Sequence, residues 1–298
     1  MFRLSCLLVF AFFATSEFSQ AFAPTHRDVP YGPHPKQVLD FWQAQSEQAK
    51  TPLLFFIHGG GWMTGDKANP DFLAKCLENG ISVASINYRL MQEAQAAKID
   101  PPVKACLEDA ARALQFVRSN AAEWRIDKER IGVCGGSAGG FTALWLAFST
   151  DMAEVKSTDA VARESTRLRC VMAFVPQTTL DPAQMQAWIP NNANGNHAFG
   201  LPSMDEFIAK RASLLPWIEK LSPYALANPD DPPVLLFYDN PPNLGQPYKD
   251  PPHSGNYGAG LAEKLKATGI EHEINYSNDY GHMRWPDLFG FIVEKLKK

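Results

Sequence analysis

One α/β domain built on a mostly parallel central sheet, with helices on both faces, is the fold class that this sequence predicts. Short apolar runs rich in β-branched or aromatic residues recur at residues 53–57, 81–86, 131–134, 170–175, 234–238 and 273–276. Most of them lack a polar face, and strands of that kind are buried on both sides, as parallel strands are. Longer helix-periodic stretches separate these runs, so strand and helix alternate along the chain. With 298 residues, 45% hydrophobic and 20% charged, the chain has the length and composition for one large globular domain and is too short for two joined by a linker.

In chain order, Arg3 precedes an apolar run at residues 4–14, the layout of a signal peptide and too short for a stable membrane span. Small residues follow in Ser19-Gln20-Ala21 and Ala21-Phe22-Ala23. The expectation is a signal peptide at residues 1–21, a domain at 22–298, and a secreted or periplasmic protein; an uncleaved anchor is the alternative. A proline-rich lead follows, with Pro24, Pro30, Pro33 and Pro35. The clearest helix is expected to start with Asp100 as N-cap and Pro101 in its first turn. It aligns Val103, Leu107, Ala110, Leu114, Val117, Ala121 and Trp124 on one stripe. Further helices are expected after Pro70, Ala138, Gly255 and Pro286. Residues 178–226 are long for a plain connection and suggest a short cap insertion. Residues 239–254 hold five prolines directly after a strand, where sheets of this class place their sites.

Charge and cysteine usage narrow the function. A net charge of -4 without a basic block predicts no nucleic-acid partner, Lys295, Lys297 and Lys298 reading as a solvated helix end. Cys6 falls in the segment expected to be removed. Cys76, Cys106, Cys134 and Cys170 form no C-x-x-C pair, so neither a zinc site nor a disulfide framework is indicated, and each is expected as a small buried apolar side chain. A bridge from Cys76 to Cys106 is left open.

Two glycine motifs carry the chemistry. Gly135-Gly136-Ser137-Ala138-Gly139-Gly140 stands between the strand at 131–134 and an apolar helix, the context in which G-x-S-x-G forms a nucleophile elbow. Such a turn strains the serine and leaves no room for flanking side chains. Upstream, His58-Gly59-Gly60-Gly61-Trp62 follows the strand at 53–57. Glycines there let backbone amides approach a substrate carbonyl, as an oxyanion hole requires. Gly60, Gly61 and Ala138 are the expected donors. Of seven histidines, His282 lies after the last strand and follows the nucleophile in chain order, so it is the expected general base.

On these motifs the chain resembles the H-G-G-G-W branch of α/β-hydrolase esterases, the BD-FAE-like (bifunctional feruloyl and acetyl-xylan esterase-like) group. The likeness runs from about residue 53 to the C-terminus. It includes Gly65-Asp66-Lys67, Asn87-Tyr88-Arg89-Leu90, Ile126-Asp127-Lys128-Glu129-Arg130-Ile131, Ser222-Pro223 and Asp231-Pro232-Pro233-Val234-Leu235-Leu236. The resemblance implies an α/β-hydrolase fold, a Ser-His-Asp triad, no metal or other cofactor, and a small-molecule or glycan ester as substrate. It departs at the acid. The family continues its strand with His-Gly and, a few residues on, the Asp; here the strand runs into Phe237-Tyr238-Asp239-Asn240-Pro241-Pro242. Asp250, shortly before the next helix, is the expected acid and Asp239 the alternative. Trp62, Trp188 and the run at 191–196 are candidate contacts to a sugar or aromatic ester. Two other readings stay open: a catalytically silent binding protein on the same scaffold, and a serine peptidase of prolyl-oligopeptidase type. Against the latter, Ala138 stands where that class commonly has Tyr.

Overall fold

Strand β1 (His26–Pro30) opens the computed structural model, which describes residues 23–277 and 283–297. The expected signal peptide, residues 1–21, lies outside them. β1 pairs antiparallel with β2 (Val38–Trp42), Pro30 standing opposite Val38. The sequence reading missed this hairpin because the lead is rich in proline. In fact Pro30 ends β1, and Pro33 and Pro35 fall in the connection, where proline is at home. β2 pairs antiparallel with β4 (Ser82–Ile86). From β4 the sheet is parallel, through β3 (Thr51–Ile57), β5 (Ile126–Gly136), β6 (Cys170–Phe174), β7 (Val234–Phe237) and β8 (His272–Asn275). The order across the sheet is β1-β2-β4-β3-β5-β6-β7-β8.

Strand side chains alternate between faces, and both faces are covered. Leu53, Phe55, Ile57 and Val133 pack with α3 (Val103–Ser119) and α4 (Ala138–Phe148). Leu54, Phe56, Cys134 and Met172 pack on the other side with Cys76 of α1 (Leu73–Glu78) and with α9 (Leu288–Lys297). A short α2 (Met91–Ala96) precedes α3. Every residue of α4 is buried, as expected for a helix apolar on all sides. α3 starts at Val103 with Pro102 at its cap, instead of at Asp100. Pro101 and Pro102 turn the chain first, and Ala121 and Trp124 lie past its end although both are buried. Residues 178–226 hold α5 (Pro182–Trp188), a 3-10 turn Asn196–Phe199, α6 (Met204–Leu221) and α7 (Pro223–Leu226). After β7 the proline-rich loop ends in a 3-10 turn, Pro251–His253, ahead of α8 (Asn256–Thr268). Cys76, Cys106, Cys134 and Cys170 are free and buried. Cys76 and Cys106 belong to clusters on opposite faces of the sheet, which separates the pair left open above.

Several polar stretches of the sequence join elements here. Lys67 reaches Asp28 at 2.7 Å and buried Asp40 at 3.0 Å, tying the hairpin to the loop after β3. Asn87 accepts from the Lys67 amide (2.6 Å), and Arg89 pairs with Asp109 of α3 at 2.6 Å. Ser222 accepts from the amide of Leu180 (2.8 Å). Each is a joint in the scaffold that holds the loops described next.

Candidate active site

β5 passes directly into the elbow. Ser137 has φ 52° and ψ -120°, a region that costs an L-residue energy and persists only where its surroundings enforce it. They do so with backbone bonds: the Ser137 amide donates to Phe174 O (2.8 Å), and the Phe141 amide donates to Ser137 O (2.9 Å). Gly139 is required by close approach, since a Cβ there would lie 2.1 Å from the carbonyl oxygen of Ile57. Ala138 opens α4, so its amide has no acceptor within the helix, and the residue lines a hollow beside the serine.

The loop after β3 stands opposite. Gly60 has φ 95°, and a Cβ there would meet Thr64 O at 2.3 Å, so only glycine fits. Its carbonyl accepts from the amides of Met63 (3.0 Å) and Thr64 (3.1 Å), which closes the turn. The Tyr88 hydroxyl donates to His58 O (2.8 Å), and the two rings stack at 4.4 Å. Burial holds the His58 imidazole below its ordinary pKa, so the ring is neutral at pH 7, with Nδ1 2.8 Å from the Gly59 carbonyl that accepts its proton. Trp62, a candidate substrate contact, is instead 1% exposed. Its indole donates to Thr142 Oγ1 (3.0 Å) and packs edge-on to Phe141, which locks the glycine loop to α4. Trp188 likewise packs edge-on to Tyr224 and Tyr257 and covers Gly260. Both indoles are held by packing; Trp62 still contributes to the wall of the hollow beside Ser137, whereas Trp188 lines neither hollow there.

The third component comes from the loop after β7. Ser137 Oγ lies 3.0 Å from His253 Nε2, and His253 Nδ1 lies 2.8 Å from Asp250 Oδ2. An ionised carboxylate only accepts, so Nδ1 carries the proton and Nε2 presents its lone pair to the serine hydroxyl. Asp250 caps the 3-10 turn that holds His253, and the His253 amide donates back to Asp250 O (3.1 Å). Asp239, the other candidate acid, is exposed at the end of β7. His282, the expected base, lies outside the described residues. Sequence reasoning passed over His253 because it precedes the last strand. The available signal was the Asp250-Pro251-Pro252-His253 spacing, which fits one turn.

Two hollows meet at Ser137. One, of about 380 Å³, is lined by Gly60, Gly61, Trp62, Ala138, Asn194, His197 and His253 among others. The other, of about 390 Å³, is lined by Phe56, His58, Gly59, Asp66, Asp71 and Val175. An acyl group and an alcohol flanking one carbon need separate spaces of this kind. Asn194 and His197 bring residues 178–226 to the edge of the site. No helix among the described residues is long and apolar enough to cross a membrane.

The sheet order, the strained serine between β5 and α4, and the glycine loop after β3 define the class: an α/β-hydrolase fold carrying a nucleophile elbow. Within that class, the chain belongs to the BD-FAE family, whose model matches residues 39–243. The match includes Gly60, Gly61, Ser137 and Ala138 and ends before Asp250. Among curated proteins, it is similar to a probable isoprenylcysteine alpha-carbonyl methylesterase of Arabidopsis thaliana, 28% identical over 56% of this chain and 35% of the relative. It is also similar to a versiconal hemiacetal acetate esterase of Dothistroma septosporum, 27% identical over 70% of this chain and 57% of the relative. The chain thus spans about a third of the first relative's length and somewhat over half of the second's. Among solved structures, a truncated carbohydrate esterase from gut microbiota aligns with a TM-score of 0.68 at 20% identity, covering 93% of this chain and 98% of that one. An esterase of the Planctomycetes species Thermogutta terrifontis aligns with a TM-score of 0.59 at 20% identity, covering 86% and 84%. At those identities the structures speak to the fold.

Proposed function

We propose that this protein is a serine esterase that hydrolyses carboxylic esters of small molecules or glycans through an acyl-enzyme on Ser137. The observation that carries the reading is the continuous chain from Ser137 Oγ through His253 to Asp250, at 3.0 and 2.8 Å. His253 Nε2 takes the hydroxyl proton as Oγ attacks the ester carbonyl, and Asp250 steadies the imidazolium that forms. The same proton passes to the departing alkoxide, and the alcohol leaves. Water then attacks the acyl-enzyme, its proton going to His253 and on to Ser137 Oγ as the acid is released. The amides of Gly60, Gly61 and Ala138 are the proposed donors to the oxyanion, each contributing on the order of 3 kcal/mol. The family membership and the esterase names of the relatives support the same reaction class. In this reading residues 178–226 act as a cap, through Asn194 and His197 at the rim.

Hydrolysis of p-nitrophenyl acetate and butyrate, with mass detection of a fluorophosphonate adduct, tests the reading. Ser137→Ala is expected to lose at least about 1,000-fold in kcat/KM and to take up no adduct. His253→Ala and His282→Ala, measured side by side, test the base. A loss of about 1,000-fold in the first with near-full activity in the second supports His253, and the reverse restores the base expected from chain order. A folded wild-type protein that neither turns over nor labels overturns the esterase reading in favour of a binding protein. Export belongs to the same proposal and rests on Arg3 and the apolar run at residues 4–14. An exported product beginning at Phe22 supports it, and a cell-retained product with an intact N-terminus refutes it.

A further inference from the structure

Base and acid both reside on a loop that is poorly anchored by its own backbone. Residues 243–247, 249 and 250 are exposed, and Pro241, Pro242, Pro247, Pro251 and Pro252 have no amide to donate. What fixes the loop comes from the end of α5, the segment that follows it and the start of α8. Asn191 forms a reciprocal pair with the backbone of Tyr248: its Oδ1 accepts from the Tyr248 amide (2.9 Å), and its Nδ2 donates to the Tyr248 carbonyl (2.8 Å). Further back, the Gly245 amide donates to Trp188 O (2.9 Å). The buried Asn256 accepts from the Asn243 amide (2.6 Å) and donates to Trp188 O (2.7 Å).

Resting on the esterase reading above, we infer that Asn191 is a positioning residue that acts through the turn Asp250–His253 and never touches substrate. Tyr248 stands two residues before Asp250, between Pro247 and the Pro251-Pro252 pair. Prolines on both sides leave few dihedrals free, so holding both polar groups of Tyr248 sets where Asp250 and His253 stand. Released, the turn swings as a unit: the 2.8 Å contact inside it survives, and the 3.0 Å contact to Ser137 lengthens. A displacement on the order of 1 Å at a reacting group costs up to about 100-fold in rate.

The test uses p-nitrophenyl acetate kinetics and thermal unfolding of the purified protein. Because Asn191 is exposed, Asn191→Ala is expected to keep its midpoint within about 2 °C of wild type. It is expected to lower kcat by about 10- to 100-fold and leave KM within about twofold. Asn191→Asp keeps the acceptor for the Tyr248 amide and loses the donor, so it recovers part of the rate. Added to His253→Ala, Asn191→Ala has no further effect, because the group through which it acts is gone. Unchanged kcat in Asn191→Ala, with activity lost in His253→Ala, overturns the inference and leaves the esterase reading intact. A loss that adds in full to that of His253→Ala, or one that falls on KM, assigns Asn191 to general structure or to substrate contact. Full activity in His253→Ala removes both the proposed base and the role of Asn191 with it.

Discussion

Thr142 shows how single side chains build the site without entering it. It accepts from the Trp62 indole at 3.0 Å and donates to the Ala138 carbonyl at 2.8 Å, joining the glycine loop to the helix that starts at the nucleophile. Thr142→Val strands a buried indole N–H, and unfolding in urea should register a loss of about 1–3 kcal/mol. Thr142→Ser keeps the hydroxyl and should recover most of it. His58 adds a pH term. Burial depresses its pKa in the folded protein, so between that value and the ordinary histidine range the unfolded chain binds more protons. Stability from this group is present above about pH 6.5 and is lost as pH falls towards the folded value. The thermal midpoint should therefore drop on acidification, and the drop should shrink in His58→Asn. These residues were legible to different degrees. Ser137, Gly60 and Gly61 stand in glycine-rich motifs that are read directly from the sequence. His253 was not legible, because its partnership with Ser137 depends on how a proline-rich loop folds back, which no local pattern encodes.

At the scale of elements, the apolar runs became strands because their side chains alternate between two covered faces, and their ends were readable to within about two residues, except that β5 starts at Ile126 instead of residue 131. The hairpin β1–β2 was not, since prolines at its turn resemble an unstructured lead. The start of α3 was misread for a related reason: Asp100-Pro101 has the composition of a helix start, but Pro102 adds a further turn before Val103. The junction between β3 and α4 is closely set. Gly139→Ala would place a methyl 2.1 Å from the Ile57 carbonyl oxygen, and neither backbone can move without shifting the elbow. The expected result is a stability loss of about 3 kcal/mol together with most of the esterase activity. A variant with full activity and a wild-type unfolding midpoint would show that the strand and helix are less closely set than described.

Across the whole molecule, Lys67 connects parts that are distant in sequence. Burial alone would lower its pKa, but Asp28 and Asp40 hold it above the ordinary lysine value. Asp40 is 2% exposed, so Lys67→Met leaves a buried carboxylate without its cation, at an expected cost of about 3–5 kcal/mol in chemical denaturation. Lys67→Met combined with Asp40→Leu removes the orphaned charge and should regain most of that loss. The resemblance quoted from Gly65-Asp66-Lys67 and Asn87-Tyr88-Arg89-Leu90 thus corresponds to scaffold joints. They were visible as motifs, while the partners Asp28, Asp40 and Asp109 were visible only once the chain was folded.

The shared turn of Asp250 and His253 also bears on how this protein would age in a protease-rich setting. In the proposed mechanism the base and its acid hang from one strap, residues 241–249, most of which is exposed. A single cut in that strap frees both at once, while the sheet and its packed helices lie elsewhere. Limited proteolysis should then silence hydrolysis in step with the first nick, well before circular dichroism records any loss of fold.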